Sequence, residues 1–416
     1  MSTPQSRKAI AVGAIGNILE WYDFAIYGYF ATSIGRVFFP KADPVAQVLM
    51  AFGIFAIGFL MRPIGGIVIG YIGDRVSRQT ALTVSIVAMA IPTFLVGIMP
   101  GYDTIGIAAP ILLTLCRIIQ GLSVGGEYPT SLVYMIEKAP ANKRGFVGAM
   151  GSSSAYIGML LGSGVGAALG AVLSPEYLDA WGWRIPFLFG LVIGLAGYLL
   201  RRGSPEHTGH TRTVMTNPVV ETFKNHRLLL VKLSGVSAFL AVSFYLIFVY
   251  IVSWLELVDK IPPSKSLEIN TLSMIVLVPL TLLAGALSDR IGRKPMLIIG
   301  ALAGLIFSIP LMYGMYHQST LVIQLSQIGF ALVVGLFNGA MPALIVESAP
   351  AYIRTTVVAL GYNLTMGILG GLTPLVASWL IHRTENEMVP AYMIVAVAAI
   401  SLIAMLFVSE SYKKDI

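Results

Sequence analysis

The chain has 416 residues, of which 56% are hydrophobic and only 11% charged, against roughly 25% charged in a soluble domain. That much apolar side chain cannot be hidden in one aqueous core, so a soluble domain is excluded and a polytopic membrane protein is implied. The net charge of +7 sits in short basic clusters between apolar runs, as in loops that face anionic lipid, so nucleic-acid binding is not expected. Cys116 is the single cysteine, which rules out an intrachain disulfide.

A window of about 20 residues, enough to span about 30 Å of hydrocarbon, predicts twelve helices. They cover 11–33, 46–71, 79–99, 105–135, 145–173, 185–202, 227–256, 267–287, 295–316, 320–346, 354–381 and 389–409. The first run is too long for a signal peptide and lacks a small-residue cleavage pattern. Between the sixth and seventh helices, "RRGSPEHTGHTRTVMTNPVVETFKNHR" (Arg201 to Arg227) is the one long polar break. The expected organisation is therefore a six-helix half over 1–200, a linker over 201–227 and a second half over 228–416, all α-helical. With the N-terminus inside, 18 Lys and Arg fall in inner loops and tails and 6 (Arg36, Lys41, Arg184, Lys260, Lys265, Arg383) in outer loops. The positive-inside rule then puts both termini and the linker in the cytoplasm.

The halves echo each other. "GYIGDRVSRQT" (Gly70 to Thr80) follows the second helix and "GALSDRIGRKP" (Gly285 to Pro295) the eighth. "EKAPANKRG" (Glu137 to Gly145) follows the fourth and "ESAPAYIRT" (Glu347 to Thr355) the tenth, so a six-helix unit is duplicated, as in many transporters.

Twelve helices in two repeated halves, with a Gly-x-x-x-Asp-Arg-x-x-Arg loop in each, resemble the major facilitator superfamily over essentially the whole chain. More narrowly, "LEWYDFAIYG", "FLMRPIGG" (Phe59 to Gly66) and "RIIQGLSVGGEYP" (Arg117 to Pro129) are similar to the metabolite:proton symporters, the branch that takes up α-ketoglutarate, citrate, shikimate, proline and betaine. The resemblance implies the major facilitator fold, a proton-coupled importer and a cytoplasmic latch made of Asp74, Arg75 and Arg78 with Glu137, mirrored by Asp289, Arg290 and Arg293 with Glu347. Two departures stand out. The sequence stops at Ile416 without the C-terminal coiled coil of some osmosensing members, so that form of osmotic control is not expected. Pro129 stands where a small residue is expected, which loosens the inference about the fourth helix.

Charges inside a bilayer are costly unless paired or facing a wet cavity, so those in the helices are functional candidates. The first half carries Glu20 and Asp23 on one face of helix one, Arg62 on helix two, and Arg117 and Glu127 on helix four. Three acids face two bases, which leaves one acid to carry a proton. Burial and a neighbouring guanidinium act on a carboxyl in opposite senses, so gaining or losing that neighbour switches its protonation. Asp23, which shares its estimated depth with Arg117, is the first candidate, ahead of Glu20 and Glu127. Arg117 and Arg62 would meet a substrate carboxylate, with Tyr27 and Gln120 beside them.

Helices seven to twelve have no charge near mid-membrane; aromatic and amide groups stand there instead. Tyr245, Asn338 and Asn363 are the expected substrate contacts, and the run "FYLIFVYIVSW" (Phe244 to Trp254) is expected to face lipid with part of its rings. Static ion pairing is the competing reading for each acid. The row Gly158, Gly162, Gly166 and Gly170 is read as close helix packing alone.

An enzyme is not expected: there is no Walker loop, no partnered nucleophile and no metal-ligand spacing, and no cofactor is implied. A receptor would have no use for a duplicated gate loop. Export of a metabolite, siderophore or drug in exchange for protons is the alternative within transporters. Antiporters of the superfamily usually carry a Gly-Pro motif on helix five, which Gly151 to Gly170 lacks. The expectation is a monomer in the cell membrane, of bacterial inner-membrane type, whose partners are a proton and a small organic acid or zwitterion.

Overall fold

The structure is a computed structural model that describes residues 17–18, 20–41, 43–75, 78–125, 127–202 and 218–412; within these, the side chains of 69–75, 78–83 and 127, among a few others, are not described. The described residues form helices and short connections, without strands. Helix α1 covers 20–29 and continues as Ala31–Phe38. Helix α2 is Pro44–Leu60 with Arg62–Arg75, α3 is Arg78–Ile98, and α4 is Ala108–Val124 with Glu127–Glu137. Arg144–Val172 is α5, and Ile185–Arg202 is α6. Helix α7 runs from Arg227–Tyr245 through a π turn, Leu246–Tyr250, into Ile251–Leu257. Next come α8 (Pro263–Ile291), α9 (Arg293–Tyr313) and α10 (Thr320–Ser348). Helix α11 has the same build as α7, with Arg354–Leu364, a π turn at Thr365–Gly370, and Gly371–Thr384; α12 is Val389–Leu406.

Local chemistry sets these limits. The Asp43 carboxylate accepts the Ala46 N–H at 3.2 Å and Pro44 opens the first turn, so α2 begins there. Helix α8 ends at Ile291 because Gly292 takes φ 107°, a backbone region that side chains disfavour, and α9 starts directly after it. Helix α4 breaks after Val124, ahead of Pro129, which lies in the first turn of the second segment where no N–H is needed. The break frees the Gly125 carbonyl, which accepts the Asn363 side-chain amide from α11 at 2.6 Å.

Among the described residues, eight of these helices are long and apolar enough to cross a bilayer: α2, α5 and α7 to α12. The most apolar stretch of α7 is 94% buried inside the protein, against 39% for α8, α9 and α12. This corrects the expectation for the aromatic run on α7. Phe244, Tyr245, Phe248, Tyr250 and Trp254 all lie in the interior, none toward lipid. The run is apolar all round because α7 is surrounded by protein.

Helices α5 and α8 pack along each other most extensively, followed by α8 with α10. The glycine row explains how close they come, as expected for packing without a hydrophobic drive. A Cβ at Gly170 would meet Ser264 of α8, and one at Gly158 would meet the carbonyl of Ile18, ahead of α1. A small helix, Pro218–Asn225, precedes α7 within the polar stretch read as a linker.

Contacts bridge α1–α6 to α7–α12 at both ends. At the end next to residues 201–227, Asp289 accepts the N–H groups of Gly145 and Phe146, both at 2.8 Å, and Arg354 pairs with Glu137 at 2.6 Å. At the far end, Ser163 bonds Thr271 at 2.8 Å, and Phe52 meets Tyr250 edge-on at 5.7 Å.

Candidate functional site

The centre of the first six helices is organised by Phe24, whose ring lies between two guanidinium groups, with Arg62 at 4.4 Å and Arg117 at 4.5 Å from its centroid. Arg62 also sits over Phe59 at 4.0 Å and Trp21 at 5.3 Å, and Arg117 over Tyr27 at 4.3 Å. Both arginines are 1% exposed. Aromatic faces stabilise a desolvated cation by about 2 kcal/mol each at best, and they use the flat face of the guanidinium, not its N–H edge. Nε and Nη2 of both arginines accordingly have no hydrogen-bond partner among the described residues. Such donors are costly to leave unmet, so they mark where an acceptor can dock.

Asp23 is buried in the same region. No ion pair within 4 Å joins it to Arg117 among the described residues; a polar thread runs from Arg117 toward it and ends at Thr93, whose hydroxyl donates to the Met89 carbonyl at 2.9 Å. Arg117 Nη1 donates to Gln120 Oε1 at 2.9 Å, and Gln120 Nε2 donates to the Thr93 hydroxyl at 2.7 Å. Thr93 stands beside the Asp23 carboxyl, whose Oδ1 is buried and unpartnered. Gly190 of α6 leaves room for that oxygen, since a Cβ there would come within 3.3 Å of it.

On the α7 side of Trp21 lies a cavity of about 20 Å³, room for one water. Its wall is aromatic: Tyr156 stacks on Phe244 at 4.9 Å, Tyr128 lies against Tyr362 at 4.9 Å, and Trp21 meets Phe244 and Tyr128 edge-on. Tyr128 and Ser152 share a hydrogen bond of 3.3 Å, and the Asn338 amide donates to the Tyr156 hydroxyl. Three buried polar atoms of the wall have no partner among the described residues: Trp21 Nε1, the Tyr245 hydroxyl and Asn338 Oδ1.

Of the residues expected to bind substrate, Tyr245 and Asn338 line this cavity. Arg62 stands behind Trp21, and Arg117 one layer further, behind Phe24. Tyr27 donates to the Ala51 carbonyl at 3.0 Å, Gln120 belongs to the thread, and Asn363 bonds Gly125. Glu20 is buried on α1; the side chain of Glu127 lies outside the described residues. The cavity walls Trp21, Tyr128, Ser152 and Tyr156 escape a search for charge, yet Trp21 and Tyr128 stand next to charged or glycine-rich positions in the quoted motifs.

At the 201–227 end, Arg293 binds Asp289 at 2.8 Å and Glu347 at 3.1 Å, all three buried. Among the described residues, Arg290 has no part in that cluster. The chain after α12 joins it: Glu410 accepts the N–H groups of Arg293 (3.1 Å) and Lys294 (2.9 Å), and Ser411 donates to Glu347 at 2.7 Å. A carboxylate at the start of α9 suits the positive end of that helix. The side chains of Asp74, Arg75 and Arg78, expected to join Glu137, lie outside the described residues. No group of three or more possible metal ligands occurs among the described residues.

Known proteins share this architecture. The family profile described as Sugar (and other) transporter matches residues 9–207, and that of the Major Facilitator Superfamily matches 261–415. A glycine betaine/proline/ectoine/pipecolic acid transporter, OusA, of Dickeya dadantii is 35% identical over 99% of this chain and 84% of its own length. A proline/betaine transporter of Escherichia coli K12 is 34% identical over 99% of this chain and 85% of its own. Among solved structures, a D-xylose-proton symporter superposes with a TM-score of 0.77 at 23% identity, covering 98% of this chain and 99% of that one, a likeness of fold alone. With relatives of such identity along nearly its whole length, the chain belongs to the major facilitator superfamily of membrane transporters.

Proposed function

We propose that this protein is a proton-coupled symporter that imports a small zwitterion, a compact molecule with one carboxylate and one ammonium group such as proline or a betaine. The observation that carries this reading is the aromatic cavity rimmed by unmet polar atoms, which widens from its one-water size as the halves part to admit such a molecule. Ring faces attract a cationic head, methylated or not. Beyond Trp21, its indole N–H and the free edge of Arg62 offer donors to a carboxylate. Opposite ends of one small molecule are thereby matched. The relatives named for proline and betaine support the same substrate class.

Proton coupling is assigned to Asp23. Its carboxyl lies beside Thr93, where the hydrogen-bonded thread from Arg117 through Gln120 ends, so a substrate that draws the arginines changes the charge felt at Asp23. Glu20 and Glu127 remain the other carriers on the same half. Transport is by alternating access: residues 1–200 and 228–416 rock as two bodies about the cavity, with the 201–227 stretch as their connector. Both termini and the 201–227 end face the cytoplasm, where Asp289, Arg293 and Glu347 with Glu137 and Arg354 latch the halves while the site opens outward.

Uptake of radiolabelled proline and glycine betaine into proteoliposomes, with and without an imposed pH gradient, tests the reading. Accumulation that requires an acid exterior is expected. Accumulation indifferent to the gradient, or efflux driven by it, overturns the symport.

A further inference from the structure

Resting on the zwitterion reading above, we propose that Asn338 is the residue that chooses among such substrates, favouring those whose ammonium carries N–H groups over fully methylated ones. Asn338 lies on α10, 2% exposed, in the wall of the cavity. Its Nδ2 donates to the Tyr156 hydroxyl, and its Oδ1 is a buried acceptor without a partner among the described residues. The main chain adds to this. Pro342 stands four residues on within α10 and has no N–H to give the Asn338 carbonyl, so the regular helical bond to that oxygen is missing. One residue thus carries a side-chain acceptor that is unmet and a main-chain acceptor released from its usual bond.

The rest of the wall does not make this distinction. The faces of Tyr156 and Phe244 respond to positive charge spread over a surface, whether of methyl groups or N–H groups. The Tyr245 hydroxyl can donate as well as accept, so it adapts to either. An amide oxygen has no such choice. Facing an N–H it gains a charge-assisted hydrogen bond; facing a methyl group it is desolvated and left unpaired. A site with a buried acceptor therefore rejects the ligand that lacks the donor.

The probes are proline, N-methylproline and N,N-dimethylproline, which share one ring and one carboxylate and carry two, one and no N–H groups. Their affinities are measured by calorimetry on the purified full-length protein. Wild type should weaken along the series by about tenfold in all, the usual worth of one hydrogen bond to a charged group. Asn338→Val should bring the three within about twofold of one another, chiefly by losing proline, while Asn338→Asp, which keeps an acceptor, should preserve the order. Wild type binding the dimethyl compound as tightly as proline, or Asn338→Val keeping the wild-type ratio, overturns the selecting role and leaves the zwitterion reading standing. Failure of wild type to bind any of the three overturns that reading, and this inference with it.

Discussion

Glu137, which closes α4, receives the guanidinium of Arg354, which opens α11, at 2.6 Å. The two belong to corresponding echo motifs, so duplication has supplied both halves of a contact that joins them. The neighbouring bridge, from Asp289 to the N-terminus of α5, is of another weight. Glu137 is 40% exposed at its side chain, and an exposed pair is worth about 0–1 kcal/mol. Asp289 is 6% exposed and shares Arg293 with Glu347, so removing its charge costs about 3–5 kcal/mol. Asp289→Asn should therefore open the 201–227 end far more than Glu137→Gln. Labelling of a cysteine placed at Ser152, in a Cys116-free background, reports the difference; equal labelling in both variants would show that the buried cluster does not hold the closed form.

The thread from Arg117 toward Asp23 sets the second expectation. Asp23→Asn imitates the protonated acid, and should abolish accumulation driven by a pH gradient while exchange of internal for external substrate persists. Gln120→Leu breaks the thread at its middle and leaves both charges in place. It should shift the pH dependence of uptake without removing binding. Unaltered pH dependence in both variants moves the proton carrier to Glu20 or Glu127.

The glycines of α5 differ in what surrounds them. At Gly158 a methyl group would strike backbone, whereas at Gly164 the nearest atom is Thr271 Cγ2 at 3.9 Å. Gly158→Ala should cost about 1–3 kcal/mol of stability and Gly164→Ala less than about 0.5. Melting temperatures in detergent decide this, and equal losses would refute the packing account of the row.

Outside the spans, the Asp259 carboxylate is held by the main-chain N–H of His317 at 3.1 Å and by the His317 ring at 3.2 Å. Burial raises the Asp259 pKa above the ordinary carboxylate value, and the contacts with His317 offset that in part. A folded acid that holds its proton more tightly than the unfolded one adds stability fully below about pH 4, and that contribution is lost as pH rises through the folded value. Asp259→Asn should therefore match wild type near pH 4 and gain on it toward neutrality. A difference in melting temperature that stays flat with pH would exclude this origin.

Most of the architecture is legible in the sequence because the bilayer imposes a length that a hydropathy window measures directly. Helix α7 was expected over 227–256 and runs from Arg227 to Leu257; α8 was expected over 267–287 but extends from Pro263 to Ile291. Its added turns are polar, and they form because Pro263 and Gly292 cap the helix, which hydropathy cannot register. The buried charges were legible for the same reason, being conspicuous in an apolar run. The cavity wall was not. A tyrosine facing lipid and a tyrosine facing Asn338 read alike in a sequence; only packing separates them. Nor was the thread from Arg117 through Gln120 to Thr93, two uncharged side chains that a search for charge passes over.

The π turns of α7 and α11 hold a consequence of their own. Each takes in one residue more than the α-helix around it needs, so each is a loop of slack stored inside a rod. Slack of this kind passes along a helix by handing the wide turn from one residue to the next, which turns each residue it passes by about 100°. Tyr245, at the edge of the first π turn, lies against Gly370, in the second, so the two reserves of slack face each other beside the cavity. Deleting one residue from 246–250 would convert that turn to plain helix and, the surplus gone, leave the indole of Trp254 on the Glu387 carbonyl to which it donates at 3.1 Å. The protein would keep its fold and its charges, and lose the play on which any turning of α7 depends.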